Sequence, residues 1–261
     1  MSIPAIVINL DRSPDRLVHI KAEFARAGMF FERFRGVDGR KLPDGAKPYF
    51  CDAAGRLVSP LTAGEIGCYA SHLAIWQRIA AGGYGPAALV CEDDIELSDD
   101  LAGLLEAIPR AVPSGWDIVR LVDNDKLAER KALPLAPLPG ARALIRYWHL
   151  PMLAGGYLLS TAGARKLLRA GIRTHGVDAD LRRPWIFGLD HYGVHPAPIE
   201  QQHVLASIIG RERGCALATM PGRPSRLMPL RGLEFREYLY NLRKMGLQCW
   251  LRLRLTSRAA P

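Results

Sequence analysis

The stretch Pro86-Ala87-Ala88-Leu89-Val90-Cys91-Glu92-Asp93-Asp94-Ile95 decides how the chain is read: an apolar run without alternation that stops at three consecutive carboxylates. Entered through Gly85-Pro86, such a run predicts a strand covered on both faces, and with it an α/β fold. In open α/β sheets ligands lie beyond the carboxyl ends of the strands. Glu92, Asp93 and Asp94 are therefore expected at a rim where a phosphorylated ligand could sit. Three adjacent acids repel one another unless something positive intervenes, and a hard divalent cation bridging to a diphosphate is one solution. The alternative is helix electrostatics, with Ser98 as N-cap and Asp99 and Asp100 in the first turn of the next helix.

Upstream, Ala5 to Leu10 reads as a buried strand, and Ser13-Pro14 supplies an N-cap and a first-turn proline. Leu17, Ile20, Phe24 and Ala27 follow at helical spacing until Gly28 ends the helix. Phe30 to Phe34 predicts a second strand leading into the turn Gly36-Val37-Asp38-Gly39, and residues 40 to 61 a surface excursion. Thr62-Ala63-Gly64-Glu65 matches a capping box, and Ile66, Tyr69, Leu73, Trp76 and Ile79 form the apolar stripe of the helix behind it. His72 lies beside that stripe, where a packing histidine is more common than a ligand.

Downstream, Leu101 to Ile108 predicts a helix, Trp116 to Val122 a strand, and Leu133 to Gly140 a loop without regular structure. Ala143 to Leu150 and Leu153 to Ser160 are expected as paired strands, and Thr161 to Ala170 as a helix. Gly155 and Gly156, in the second of those strands, fit either close approach of a ligand to the backbone or a tightly packed bulge.

A 261-residue chain with 49% apolar and 23% charged residues is ordinary globular composition, which excludes a disordered or fibrous protein. Its net charge of +9 points toward anionic partners. Nine basic residues against two glutamates between Met220 and Pro261 carry +7 of that charge, interleaved with Leu233, Tyr240, Leu247, Trp250 and Leu251. That composition suits a helix on an anionic membrane surface, or one packed on the domain with a solvated basic face. Nucleic acid is not expected, because the charge sits in the tail and no RNP-like or zinc-finger pattern occurs. A P-loop is missing too, which argues against one class of phosphoryl-transfer enzyme. Five scattered cysteines without a CxxC pair suit a reducing compartment. With no basic leader and no apolar run near the roughly 18 residues of a membrane span, a cytoplasmic location is expected, peripheral on the inner membrane if the tail binds lipid.

Several blocks together resemble glycosyltransferase family 25, the enzymes of lipopolysaccharide and lipooligosaccharide assembly and relatives of collagen galactosyltransferases. They are Val7-Ile8-Asn9-Leu10-Asp11-Arg12 with Asp15-Arg16, Phe34 to Gly39, Leu61 to Leu73, Ala88 to Asp94, Ala154 to Ser160 and Val177-Asp178. Cys91 departs from the usual aliphatic residue before the acids, and Leu121 to Pro139 matches weakly.

The resemblance implies a GT-A-like (Rossmann-like) α/β domain with a mixed central sheet, placed over residues 1–219, while the tail's own composition marks a basic helical extension over 220–261. It implies an inverting, metal-dependent transferase using a nucleotide-sugar donor, UDP-galactose first, with Mn²⁺ or Mg²⁺, and a saccharide acceptor that could be lipid-linked. Asp94 and Glu92 would hold the metal, while Asn9, Leu10, Arg16, Asp38, Glu92, Asp93, Gly155 and Gly156 would surround the donor. Asp178 is the first candidate for the base, with Asp180 and Asp190 as alternatives. A late block with Gln202, Ser207 and Ile209 makes His203 a further candidate for a phosphate or metal contact. An inactive or binding-only relative is the alternative function.

Overall fold

The computed structural model describes residues 3–123, 132–148, 150–202 and 230–246. The apolar run opening the chain forms β1 (Ala5–Asn9), and the run ending in acids forms β3 (Ala87–Glu92). Both pair in parallel, with β2 (Glu32–Arg35) on the far side of β1. Between β1 and β2 runs α1 (Pro14–Arg26), with Pro14 in its first turn as expected. Ser13 makes no side-chain cap; its carbonyl instead accepts from Asn9 Nδ2 at 3.1 Å.

The helix before β3, α2 (Ala63–Ala80), opens with the predicted reciprocal cap: Thr62 Oγ1 accepts from the Glu65 amide, and Glu65 Oε2 accepts from the Thr62 amide at 2.8 Å. Its stripe of Ile66, Tyr69, Leu73, Trp76 and Ile79 is buried against Ala88 and Val90. On the other face of β3, Leu89 and Cys91 meet Ile20 and Phe24 of α1 and Leu104 of α3 (Leu101–Ala111). The strand is thus covered on both faces, the condition its unbroken apolar run implied.

After β4 (Ile95–Leu97) and α3 come β5 (Ile118–Arg120), β6 (Val122–Asp123), β7 (Ala132–Leu138), β8 (Arg142–Tyr147) and β9 (Gly156–Ser160). The short helices α4 (Thr161–Leu167), α5 (Val177–Leu181) and α6 (Pro184–Phe187) lead to β10 (His191–His195) and β11 (Ile199–Gln201). The main sheet has the order β2-β1-β3-β9-β5-β10-β8-β7 and mixes parallel with antiparallel pairs. A second sheet, β4-β11-β6, stands beside it. This is the α/β organisation with a mixed central sheet that the resemblance implies.

Four local expectations are corrected. Residues 133–140 are not an irregular loop: β7 pairs with β8, and Pro134 and Pro137 are tolerated because β7 is an edge strand with an irregularity between Pro134 and Ala136. Strands β8 and β9 do not pair; β9 inserts between β3 and β5, whereas β8 joins β10 and β7. The cap position of α3 is Asp100 rather than Ser98, and Asp100 is held by Arg142 at 3.0 and 3.1 Å. The 40–61 excursion includes a 3-10 turn, Asp44–Tyr49, and drives Ala46 and Phe50 into the core.

Of the expected basic extension, 220–229 and 247–261 lie outside the described residues, as do Arg223, Arg226, Arg252, Arg254 and Arg258. The described part is α7 (Leu230–Met245), which packs on the domain through Glu237, Tyr240, Asn241 and Met245. Tyr240 Oη donates to the Leu189 carbonyl at 2.8 Å. Among the described residues, no helix is long and apolar enough to cross a membrane.

Candidate functional site

Parallel pairing in the register Ile8↔Glu92 brings the carboxyl ends of β1 and β3 side by side. Over these ends opens a cavity of about 310 Å³. Leu10, Arg16, Val37, Asp38 and Arg40 line one wall, Gly64, Gly67, Cys68 and Ser71 of α2 another, and Glu92, Asp93, Asp94 and Gln201 the floor. The 36–39 turn reaches α2 through two glycines. A Cβ on Gly39 would stand 1.9 Å from the Ala63 carbonyl oxygen, and one on Gly67 2.5 Å from that of Val37. Ser71 Oγ adds a bond from the Val37 amide at 2.8 Å, fixing the turn that carries Asp38.

The three acids have different surroundings. Asp93 is turned inward: Oδ2 accepts from Asn9 Nδ2 at 2.7 Å and Oδ1 from Arg16 Nη1 at 3.0 Å. Asp94 stands 3.3 Å from the same Arg16 nitrogen. Glu92 and Asp94 share one donor, Gln201 Nε2, at 3.4 and 3.3 Å. Gln201 reaches them because β11 pairs antiparallel with β4 in the register Gln201↔Ile95. Two carboxylates therefore converge on a single amide. Burial first, then the charge of Glu92, pushes the Asp94 carboxyl up to about 7, against the pull of Arg16.

Behind Glu92, Cys68 Sγ lies 3.8 Å from Glu92 Oε1 and His72 Nε2 lies 3.6 Å from the same oxygen. Burial and the nearby acids Glu92, Asp178 and Asp94 push the Cys68 thiol well above its ordinary value. His72 is fully buried; its Nδ1 meets Tyr157 Oη at 2.7 Å, which also accepts from Trp76 Nε1 at 2.8 Å. The packing role expected of His72 is present, stacked on Tyr157.

An adjoining cavity of about 190 Å³ shares Cys68, Glu92, Leu153 and Gln201 with the first and adds Glu65 and Asp178. Asp178, in the first turn of α5, is thus the only one of the three base candidates that lines either of these cavities. Asp180 is buried beneath it, accepting from Tyr69 Oη at 2.8 Å, with its carboxyl pushed up by burial. Asp190 precedes β10, at the amino ends of β5 and β10 and hence the opposite edge of the sheet. There Arg146 at 2.9 Å and Lys244 at 3.3 Å outweigh burial and hold its carboxyl below the usual range. Asp180 and Asp190 line neither cavity: one is tied to a core tyrosine, the other to an ion cluster at the opposite edge.

Two further expectations are revised. Gly155 and Gly156 line neither cavity, and the tight-packing reading is the one their surroundings fit: a Cβ on Gly156 would meet Ile199 Cδ1 at 2.7 Å, and one on Gly155 would touch Ile95 and Gln201. They are small because β9 packs under the second sheet. Asn9 is buried and does not line the cavity; it aligns Asp93 and accepts from Arg33 Nε at 2.9 Å. Leu10, Arg16, Asp38, Glu92, Asp93 and Asp94 do come together. His203, Ser207 and Ile209 lie outside the described residues. Gln201 and Cys68 were not foreseen as site residues; the Gln201-Gln202 pair was visible, but nothing local showed its strand returning to the acids.

Residues 2–180 match the family described as "Glycosyltransferase family 25 (LPS biosynthesis protein)". A glycosyltransferase 25 family member of Aedes aegypti is 33% identical over 183 residues, covering 62% of this chain and 27% of that protein. Procollagen galactosyltransferase 1 of Danio rerio is 34% identical over 184 residues, covering 63% and 28%. The human inactive glycosyltransferase 25 family member 3 is 33% identical over 175 residues, covering 62% and 28%. The match thus spans little more than a quarter of these relatives' own length. Crystals of the galactosyltransferase LgtC with donor and acceptor sugar analogues give a TM-score of 0.38 at 11% identity, over 86% of this chain and 99% of that one, a likeness too distant to transfer anything. With well over half of its residues inside the family match, and the acidic strand end, capping-box helix and Asp38 turn assembled around one cavity, the chain belongs to glycosyltransferase family 25.

Proposed function

We propose that this chain transfers a hexose, galactose from UDP-galactose in the first instance, with inversion onto a saccharide acceptor of lipopolysaccharide or lipooligosaccharide. The observation that carries the reading is the convergence of Glu92 and Asp94 on Gln201 beside the larger cavity, with Asp94 pushed up to about 7. Carboxylates and a carboxamide are the oxygen donors a hard divalent ion takes, so the residues present fit Mn²⁺ or Mg²⁺. Glu92 and Asp94 would hold it, and when bound it supplies Lewis-acid stabilisation of the departing diphosphate.

The chain's own side chains divide the remaining work. Arg16 offers a guanidinium to the diphosphate beside the acids, and Asp38 offers a carboxylate to ribose or base hydroxyl and amide groups. Asp178, across Glu92 in the smaller cavity, accepts the proton of the acceptor hydroxyl. The acceptor oxygen bonds to the anomeric carbon as its bond to the diphosphate breaks, which inverts the centre.

A second reading, nucleotide or sugar binding without transfer, is favoured by one contact: Arg16 already lies against both Asp93 and Asp94, so the acids are partly neutralised without a metal. The two readings part on a panel of UDP-, GDP- and CMP-sugars assayed with Mn²⁺ present or chelated. Release of UDP from UDP-galactose only with Mn²⁺ is expected, and binding of a nucleotide sugar with no turnover under either condition would replace transfer by the binding role.

The acceptor's lipid and a cytoplasmic, membrane-peripheral location belong to the same proposal. On α7 the exposed Phe235, Leu239, Arg236 and Arg243 offer apolar and cationic groups to an anionic surface. Sedimentation with vesicles containing phosphatidylglycerol, but not with neutral vesicles, is the expected result.

A further inference from the structure

Cys68 and His72 lie one helical turn apart on α2, and β3 delivers Glu92 to the same point. Cys68 Sγ, a nitrogen of His72 and a Glu92 oxygen all fall within 4.8 Å of one another. The distances to Glu92 Oε1 are 3.8 Å from the sulfur and 3.6 Å from His72 Nε2. A tetrahedral ion with bonds of about 2.3 Å to sulfur and about 2.0–2.1 Å to nitrogen or oxygen separates its ligand atoms by roughly 3.4–3.6 Å. The two separations from Glu92 Oε1 are therefore within a few tenths of an ångström of tetrahedral edges, and the third atom pair lies within 4.8 Å.

The second observation concerns His72 itself. The residue is wholly buried, and its Nε2 makes no hydrogen bond among the described residues, its polar neighbour being Glu92 Oε1 at 3.6 Å. A buried ring nitrogen whose polar neighbour stands just beyond hydrogen-bond reach costs stability, and its persistence calls for an explanation. The other ring nitrogen is fixed by Tyr157 Oη at 2.7 Å, and the phenol is itself anchored by Trp76. A metal on Nε2 would require the proton on Nδ1, which would then donate to Tyr157 Oη and orient the ring, the support that metal-binding histidines use.

We propose that Cys68, His72 and Glu92 form a site for a borderline-soft divalent cation, Zn²⁺ before any other, with a fourth position facing the cavities that Cys68 and Glu92 line. The mixture of thiolate, imidazole and carboxylate separates it from the all-oxygen set around Asp94, which suits Mn²⁺ or Mg²⁺. Binding requires only that the Cys68 proton leave as the sulfur–metal bond forms. An occupied site engages Glu92 and so would compete with a hard cation there; that consequence rests on the proposed function, whereas binding itself does not.

The test uses the full chain, metal-stripped and without nucleotide, titrated with Co²⁺ and then with Zn²⁺. One equivalent of Co²⁺ should produce thiolate-to-cobalt absorption and the intense visible bands of a tetrahedral ion, both lost on adding Zn²⁺. Cys68→Ser, nearly isosteric, should lose the thiolate band and weaken Zn²⁺ binding at least about tenfold. His72→Gln should do the same, and circular dichroism separates loss of the site from loss of the fold. A wild-type spectrum without the thiolate band, or one that Cys68→Ser leaves unchanged, overturns the site. Either result stands apart from the transferase reading, whose test is Mn²⁺-dependent UDP release.

Discussion

The two ends of the central sheet both gather carboxylates, but they neutralise them differently. At the carboxyl ends of β1 and β3, Asp93 and Asp94 share one arginine, Arg16, while Glu92 and Asp94 share the Gln201 amide. At the opposite edge, Asp117 and Asp190 meet Lys166 at 2.5 Å, Arg146 at 2.9 Å and Lys244 at 3.3 Å. Among the ion pairs of the described residues, Asp93 and Asp94 meet a single guanidinium, whereas Asp117 and Asp190 meet three cations. An acidic cluster is a site when its charge is uncompensated and opens on a cavity, and a tie between elements when its partners are already in place.

Substitutions at the two edges should therefore fail in different ways. The largest expected effect is on turnover: Asp94→Asn should cut UDP release from UDP-galactose by about 10³-fold, since ligand loss removes several kcal/mol of charge stabilisation. Asp190→Asn should stay within about threefold per folded molecule in the same assay. Asp178→Asn comes next, with turnover down by about 10²-fold or more and UDP affinity nearly unchanged by calorimetry. Turnover that survives in Asp178→Asn would assign proton removal to another group.

Smaller effects concern stability and carry opposite signs. Asp190→Asn should cost about 1–3 kcal/mol in urea unfolding at neutral pH, because Arg146 and Lys244 lose a carboxylate partner. The folded Asp190 carboxyl titrates below its unfolded value, so its contribution is present above about pH 4 and fades as acid protonates it. Asp94 behaves in reverse. With the folded carboxyl pushed up to about 7, the native state holds this proton more tightly than the unfolded chain, and stability falls as pH rises from about 4 to about 7. Asp94→Asn should then be the more stable protein by about 1 kcal/mol above neutrality, with no advantage near pH 4. A destabilised Asp94→Asn at pH 8 would mean that the acid is paired for structure after all.

The parts of this comparison that were legible in the sequence are those set by neighbours in the chain. Thr62 to Glu65 announced the start of α2, Pro14 that of α1, and the unbroken run before Glu92 a two-faced strand ending in acid. What was not legible depends on partners far along the chain. Gln201 reaches Asp94 across 107 positions and Asn9 reaches Asp93 across 84, and neither pairing leaves a local mark. Gly155 and Gly156 allowed two readings until Ile199 was found above them. Pro134 and Pro137 suggested a loop because their place on an edge strand is a property of the sheet order. Asp178, Asp180 and Asp190 were equivalent as residue types, and only burial and ion partners told them apart.

The most direct test of the central claim is calorimetric binding of UDP to the wild type, Asp94→Asn and Asp190→Asn, each with Mn²⁺ and with chelator. Binding that requires Mn²⁺ in the wild type and in Asp190→Asn, and is lost in Asp94→Asn, is the predicted result. UDP binding that ignores both the metal and the Asp94 substitution would contradict it and move the nucleotide site away from the acidic end of β3.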